Sequence, residues 1–352
     1  MGYRERIAAL LNGKPVDRVP VWLWLLSSTF PARMVGYTMA SSYNDPEKSF
    51  RAQILTRDMF QSDDIPRPSF GGAVRATWAF GGEIKMPTSD FDMAPSVVRY
   101  PVDSEEAAWK IAAPENVKES GAVPLFMKFA RLQEQQGLPV SLHCDPPLET
   151  VRGICGLETL ARWLIKKPDL VHRLLRIATD YQLAVLRYWV ETFGPGNILP
   201  QIPAPTASNQ VISPKQFEKF FFPYQKELHE KALSMGIKHF FCHICGDQNL
   251  NLPLWAEIPM GDISILSFGH EVDLATAIKW FGDKCIIAGN VEPAIIQTGS
   301  YQQVYDISKR CIEAAKYSPK GFILVAGCAL PPMAPPYNVF SMKKAVEDSG
   351  WY

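Results

Sequence analysis

The sequence predicts an α/β protein built as one (β/α)8 barrel, and three observations carry that prediction. From residue 138 onward, short apolar runs alternate with longer amphipathic stretches, the pattern of strands joined by helical crossovers. The 352 residues fit one large barrel domain, so residues 1–352 are read as a single unit. No G-x-G-x-x-G follows the first strand-like run, which weakens the alternative of an open, doubly wound, dinucleotide-binding sheet.

Taken in order, VPVWLW (19–24) is the first strand and DDIPRPSF (63–70) a second, weaker one. PVSLHC (139–144), NILPQI (197–202), KHFFCHI (238–244), DISILSF (262–268), CIIAGNV (285–291) and GFILVAG (321–327) supply the other six. Helical stretches fall between them: LETLARWLI and PDLVHRLLRIATDYQLAVLRYWVETF, then EVDLATAIKWF, YQQVYDISKRCIEAAKY and the closing NVFSMKKAVED. Residues 214–236 read as one helix, with Ser213 as N-cap, Pro214 at the first position and Gly236 as the stop. Residues 71–120 have few clean periods and are expected to form an inserted lid over the barrel mouth.

Composition narrows the function. The chain has 36 basic and 36 acidic residues and no long basic run, which argues against nucleic-acid binding. No apolar run reaches the ~18 residues of a membrane span. VPVWLWLL (19–26) is too short and lacks a signal-peptide cleavage pattern, so a cytoplasmic protein is expected. The seven cysteines (144, 155, 242, 245, 285, 311 and 328) are too sparse for a disulfide scaffold and suit a reducing compartment.

Three residues stand out as a metal site. His243 and Cys245 lie in HFFCHICG (239–246), and Cys328 lies in ILVAGCALPP (323–332). Strand alternation turns His239, Phe241, His243 and Cys245 to one side, and Cys242 and Ile244 to the other. All three candidates fall where a strand ends, at the rim that carries active sites in this fold. Two thiolates and an imidazole suit zinc with an open fourth position, as in catalytic sites. The alternative is that each is a buried core residue. Other rim candidates are His143 before Asp145-Pro146-Pro147, His270 and Glu271 as orienting groups or a temporary fourth ligand, and Asn290 in the turn after its strand. Helix capping by Glu271 and turn stabilisation by Asn290 are the competing readings. One of Asp63 and Asp64 at most should face the site. Trp22 or Trp24 could give a platform for a flat substrate, or simply pack the core.

The chain resembles the uroporphyrinogen decarboxylase superfamily through ALLNGKPVDRVPVW (9–22), ASNQVISPKQFEKFFFPYQKEL (207–228), HICG (243–246), SFGHEVDLATA (267–277), GNVEP (289–293) and GCALPPMAPPYNVFSMKKAV (327–346). The resemblance implies a (β/α)8 barrel with its site at the C-terminal face. The R-Q-A-G-R loop by which the decarboxylases grip substrate carboxylates is replaced here by LWLLSSTFPARMVG (23–36), where Arg33 stands alone. The branch that matches is the cobalamin-dependent methyltransferases, with H-x-C on one strand and a distant G-C on the last. It implies that His243, Cys245 and Cys328 bind one Zn2+ and act in catalysis. It also implies a corrinoid carried by a separate partner protein, since no D-x-H-x-x-G stretch is present here. A homodimer would be unsurprising in this superfamily.

Two directions of methyl transfer are open at this stage. The texture of PQIPAPTASN (200–209) and the GWY terminus (350–352) favours O-demethylation of a methoxylated aromatic, with the methyl group passing to Co(I). Trp22 or Trp24 would then flank the ring, and Asn290 or His143 would meet its polar substituents. The alternative is methyl transfer from the corrinoid to a thiol of the coenzyme M kind, favoured because two cysteinate ligands blunt Lewis acidity. A decarboxylase acting on a small acid, and a non-catalytic partner of a corrinoid protein, complete the set.

Overall fold

The computed structural model describes residues 1–89 and 94–352. Its nine strands are β1 (Val21–Trp22), β2 (Glu83–Lys85), β3 (Ser96–Arg99), β4 (Val140–His143), β5 (Ile198–Pro203), β6 (Phe241–Ile244), β7 (Ser264–Phe268), β8 (Cys285–Val291) and β9 (Phe322–Ala326). Seven of them form one parallel sheet in the order β1-β9-β8-β7-β6-β5-β4, with the register Val21↔Leu324 joining first and last. Side chains separate into two layers by strand alternation. Trp22, Ile65, Leu199, Phe241, Ile265, Ile286, Ala288, Ile323 and Val325 fill the lumen. Val140, Leu142, Cys242, Ile244, Leu266, Ile287 and Leu324 belong to the larger cluster that includes the surrounding helices.

The eighth position is held without a β-ladder. Residues 62–70 lie between β1 and β4 in extended form, but Pro66 and Pro68 have no N–H to donate. Side chains take over the pairing. Toward β1, the Asp63 amide donates to Val21 O (2.9 Å), while Asp63 Oδ2 accepts from Val21 N (2.9 Å) and Asp64 Oδ2 from Leu23 N (2.8 Å). Toward β4, Gln133 Nε2 donates to Pro66 O (2.7 Å) while its Oε1 accepts from Ser141 N (2.9 Å). The His143 ring then donates to Pro68 O across 2.8 Å. The expected second strand thus occupies its place as a clamped segment. Both aspartates are consumed by the clamp: Asp63 also pairs with Arg6 (2.5 Å) and Arg18 (2.8 Å), and Asp64 accepts from Ser62 Oγ (2.7 Å). Neither turns toward the candidate metal ligands, which corrects the expectation that one of them could.

Most predicted elements fall within a few residues of their expected bounds. The helix expected over 214–236 is interrupted. Ser213 forms a capping box with Gln216, a π turn follows at Phe217–Phe221, and the α-helix resumes at Phe222–Ser234. Pro223 explains the break, because it removes an N–H that a continuous helix would use. The helices Tyr3–Leu11, Pro46–Phe60, Val123–Gln135 and Pro147–Cys155 lie outside the sequence prediction.

The segment 71–120 contains the helix Gly72–Ala79, the antiparallel pair β2–β3 and the helix Glu105–Lys110; residues 90–93, within that segment, lie outside the described residues. Its first helix is fastened to the segment after β4. Arg75 pairs with Asp145, Thr77 Oγ1 donates to Gly153 O (2.6 Å), and a Cβ at Gly72 would come within 2.9 Å of Glu149 Cγ. Among the described residues no helix is long and apolar enough to cross a membrane.

Replacing Asp63 by Ala should cost about 3–5 kcal/mol of unfolding free energy, because Arg6 and Arg18 would be left buried around a missing carboxylate. Urea unfolding reads this directly. A loss under about 1 kcal/mol would mean that the clamp is not what closes the ring.

Candidate metal centre

The three ligand candidates arrive from two sides of the barrel mouth. His243 is in β6, Cys245 lies just beyond its end, and Cys328 lies two residues past the end of β9. Their ligand atoms all fall within 4.8 Å of one another. β6 and β9 are separated in the sheet by β7 and β8, so the curl of the sheet brings the ligands together across the mouth. The adjacency of first and last strands, β1 beside β9, contributes only the closure.

Two glycines set the approach of the cysteines. Gly246, beside Cys245, has φ +74°, and a Cβ there would meet Ser208 Cβ at 2.8 Å. Gly327, beside Cys328, donates to Val291 O (2.7 Å), and a Cβ on it would meet His270 N at 2.9 Å. Both thiols therefore sit on loops that are packed against neighbouring strand ends.

His243 is almost fully buried. Its Nδ1 lies 3.1 Å from Ser267 Oγ of β7, and its Nε2 is buried with no hydrogen-bond partner. With Nδ1–H donating to Ser267, Nε2 keeps its lone pair, the usual arrangement of a metal-binding histidine and its orienting partner. The two cysteines share one proton. Contact with the Cys245 thiol, with the His243 ring nearby, holds Cys328 down at about 4. The same contact, with burial added, pushes Cys245 far above the ordinary thiol value. An orphaned imidazole nitrogen, a ready thiolate and a second thiol within reach make a donor set that fits zinc.

Carboxylates surround the centre. Glu149 is buried, accepts from Thr206 Oγ1 and pairs with Arg152 at 3.1 Å; burial pushes its carboxyl up despite these partners. Its charge also reaches Cys245. Glu271 Oε2 is buried without a hydrogen-bond partner among the described residues, and the His270 ring nitrogen stands 3.5 Å from it. A Cβ added at Gly269 would meet this oxygen and also the Gly246 amide, which puts the Glu271 carboxylate alongside the loop of Cys245.

The remaining predicted residues are dispersed. Trp22 is sealed in the lumen, edge-on to Phe241 at 5.5 Å, and Trp24 is packed in the outer cluster, so neither lines the mouth. His143 is buried against Phe126 and burial pushes its pKa well down; its Nδ1 has no partner. Asn290 spends its amide hydrogens on Gly269 O (3.0 Å) and Val272 O (2.8 Å), so it ties two strand ends together. His270 is partly exposed. Sequence reasoning missed Ser267, Gln201, Arg67 and Glu149. Strand alternation carried to the C-terminal ends of β5 and β7 would have singled out Gln201 and Ser267; no local pattern marks Glu149.

Comparison with known proteins gives the family. The family model described as uroporphyrinogen decarboxylase (URO-D) matches residues 3–349. The chain is 24% identical to the methylcobamide:CoM methyltransferase MtaA of Methanosarcina barkeri, over 98% of this chain and 97% of that one. It is 26% identical, with the same coverage, to the methylcobamide:CoM methyltransferase MtbA of Methanosarcina mazei. A solved structure titled as a methyltransferase from Methanosarcina mazei superposes with a TM-score of 0.81 at 23% identity, covering 99% of each chain, and shares the fold. With nearly its whole length matched by the family model, the chain belongs to the uroporphyrinogen decarboxylase (URO-D) family.

Proposed function

We propose that this protein is a zinc-dependent methyltransferase that moves a methyl group between a corrinoid held by a separate protein and a small thiol. The observation that carries the reading is the cluster of His243, Cys245 and Cys328 at the barrel mouth, in a chain whose relatives are named as methylcobamide:CoM methyltransferases. A bound zinc would hold the acceptor sulfur as a thiolate at neutral pH. The chain's own residues do the rest. His243, Cys245 and Cys328 hold the metal, Ser267 fixes the imidazole, and Glu271, with its unpartnered oxygen, is the candidate for the fourth position before the thiol arrives. In the transfer, sulfur bonds to the methyl carbon as the cobalt–carbon bond breaks. Its electron pair stays on cobalt as Co(I), and the thiol proton goes to solvent. The partner would present its cobalt over the C-terminal mouth, beside residues 71–120, which we assign as the cover of the site.

The thiol reading replaces the methoxylated aromatic favoured by the sequence texture. Two cysteinates donate charge to the metal and weaken it as a Lewis acid toward an ether oxygen. The aromatic platform expected from Trp22 or Trp24 is buried away from the mouth. The relatives' names carry coenzyme M, an acceptor of the thiol class.

Purified protein should contain about one zinc per chain, and His243→Ala and Cys328→Ala should each lose metal and methyl transfer together. A zinc-free variant that stays active would contradict the mechanism. Calorimetry at pH 7 in buffers of different ionisation enthalpy should show zinc uptake releasing protons, because the Cys245 thiol, pushed up by Cys328 and by burial, must ionise to bind; uptake without proton release would contradict its role as a ligand. Methylcobalamin should be consumed only when a thiol is added. Formation of methylcobalamin from cob(I)alamin and a methoxylated aromatic would restore the opposite direction.

A further inference from the structure

One quadrant of the lumen, below the barrel mouth, is polar, buried and unsatisfied. Alternation places Arg67 with Ile65, and Gln201 with Leu199, on the lumen side of their segments. The register Gln201↔Phe241 sets Gln201 at the level of Phe241, the ring that Arg67 also approaches. That level is two residues, or ~6.6 Å, below His243.

Each member lacks partners. Gln201 is fully buried, and neither its amide nitrogen nor its amide oxygen is hydrogen-bonded. Arg67 Nη1 is buried and unpartnered. Arg67 is 8% exposed, bonds Ile65 O through Nε (3.1 Å), and lies over the Trp22 ring at 4.1 Å and near Phe241 at 5.0 Å. It has no ion pair among the described residues. The carboxylate that acts on it, Asp64, is already taken by Leu23 N, Trp24 N and Ser62 Oγ. Gln53 clasps the Arg67 backbone from both sides (2.9 and 2.8 Å), so the inward direction of the side chain is fixed. A buried guanidinium whose nearby carboxylate is turned to other partners is costly, and desolvation already pulls Arg67 down to about 10.

We infer that Arg67 and Gln201 form an oxyanion subsite that receives the sulfonate or carboxylate end of the thiol while its sulfur reaches the level of His243, Cys245 and Cys328. The inference rests on the thiol reading for its substrate but makes a claim about anion binding that stands by itself. A guanidinium edge and an amide N–H suit a planar or tetrahedral oxyanion. A two- or three-carbon spacer matches the one-layer separation from the metal ligands.

The test is direct binding and acceptor choice. Ethanesulfonate, which has no thiol, should bind metal-free protein by calorimetry, and Arg67→Gln should weaken it about 10- to 100-fold. In zinc-loaded protein, 2-mercaptoethanesulfonate should be preferred to 2-mercaptoethanol by a similar factor, and Arg67→Gln should abolish the preference. Gln201→Leu should reduce the same preference, and it carries the test if Arg67→Gln does not fold. Equal use of the charged and neutral thiols by the native protein would overturn the subsite. So would an unchanged preference in folded variants, and Arg67 would then be a strut whose free N–H is met by buried water. Ethanesulfonate binding that depends on Arg67, without methyl transfer to any thiol, would uphold the subsite and overturn the thiol reading.

Discussion

The structure depends on how the ring is closed at residues 62–70. Two prolines deny this segment a ladder, and carboxylates and an amide supply the missing bonds: Asp63 and Asp64 to β1, Gln133 toward β4. Closure forces the sheet to curl, and the curl brings the end of β9 across from the end of β6. Without it, Cys328 would be three strands away from His243 and Cys245 along an open sheet. The same segment carries Arg67 into the lumen, so one structural device both assembles the metal ligands and sets a cation beneath them.

The candidate centre is held rigidly. Each cysteine is pinned by a glycine that cannot gain a side chain, and the histidine is fixed by a serine on the next strand. That is a rigid three-point holder, and the carboxylates near it have room to differ in role. Glu149 is committed to Thr206 and Arg152, whereas Glu271 keeps an oxygen free beside the Cys245 loop. A fixed triad with one exchangeable neighbour is the arrangement expected of a metal that must admit a substrate.

The barrel and the placing of His243, Cys245 and Cys328 at strand ends were legible in the sequence because both rest on short-range rules. The 2-residue alternation of KHFFCHI separates Phe241 and His243 from Cys242, as observed, and apolar runs mark where strands end. The second strand was faint because its prolines and aspartates replace backbone pairing with side-chain pairing, which no periodicity reports. Trp22 and Trp24 illustrate the opposite failure: aromatic character is visible in sequence, but whether a ring lines a mouth or fills a core is settled by its depth along the strand. Arg67 and Gln201 were overlooked for a related reason. A charged residue in PRP and an amide in ILPQIP read as ordinary until the fold brings both to Phe241 with polar atoms left unpartnered.

X-ray absorption at the zinc edge tests the central claim most directly. The resting centre should show two sulfur neighbours at ~2.3 Å from Cys245 and Cys328, with the remaining positions filled by nitrogen and oxygen. Addition of 2-mercaptoethanesulfonate should raise the sulfur count to three at the expense of one oxygen neighbour. A sulfur count that stays at two with saturating thiol, in protein that transfers methyl groups, would contradict the role assigned to the metal.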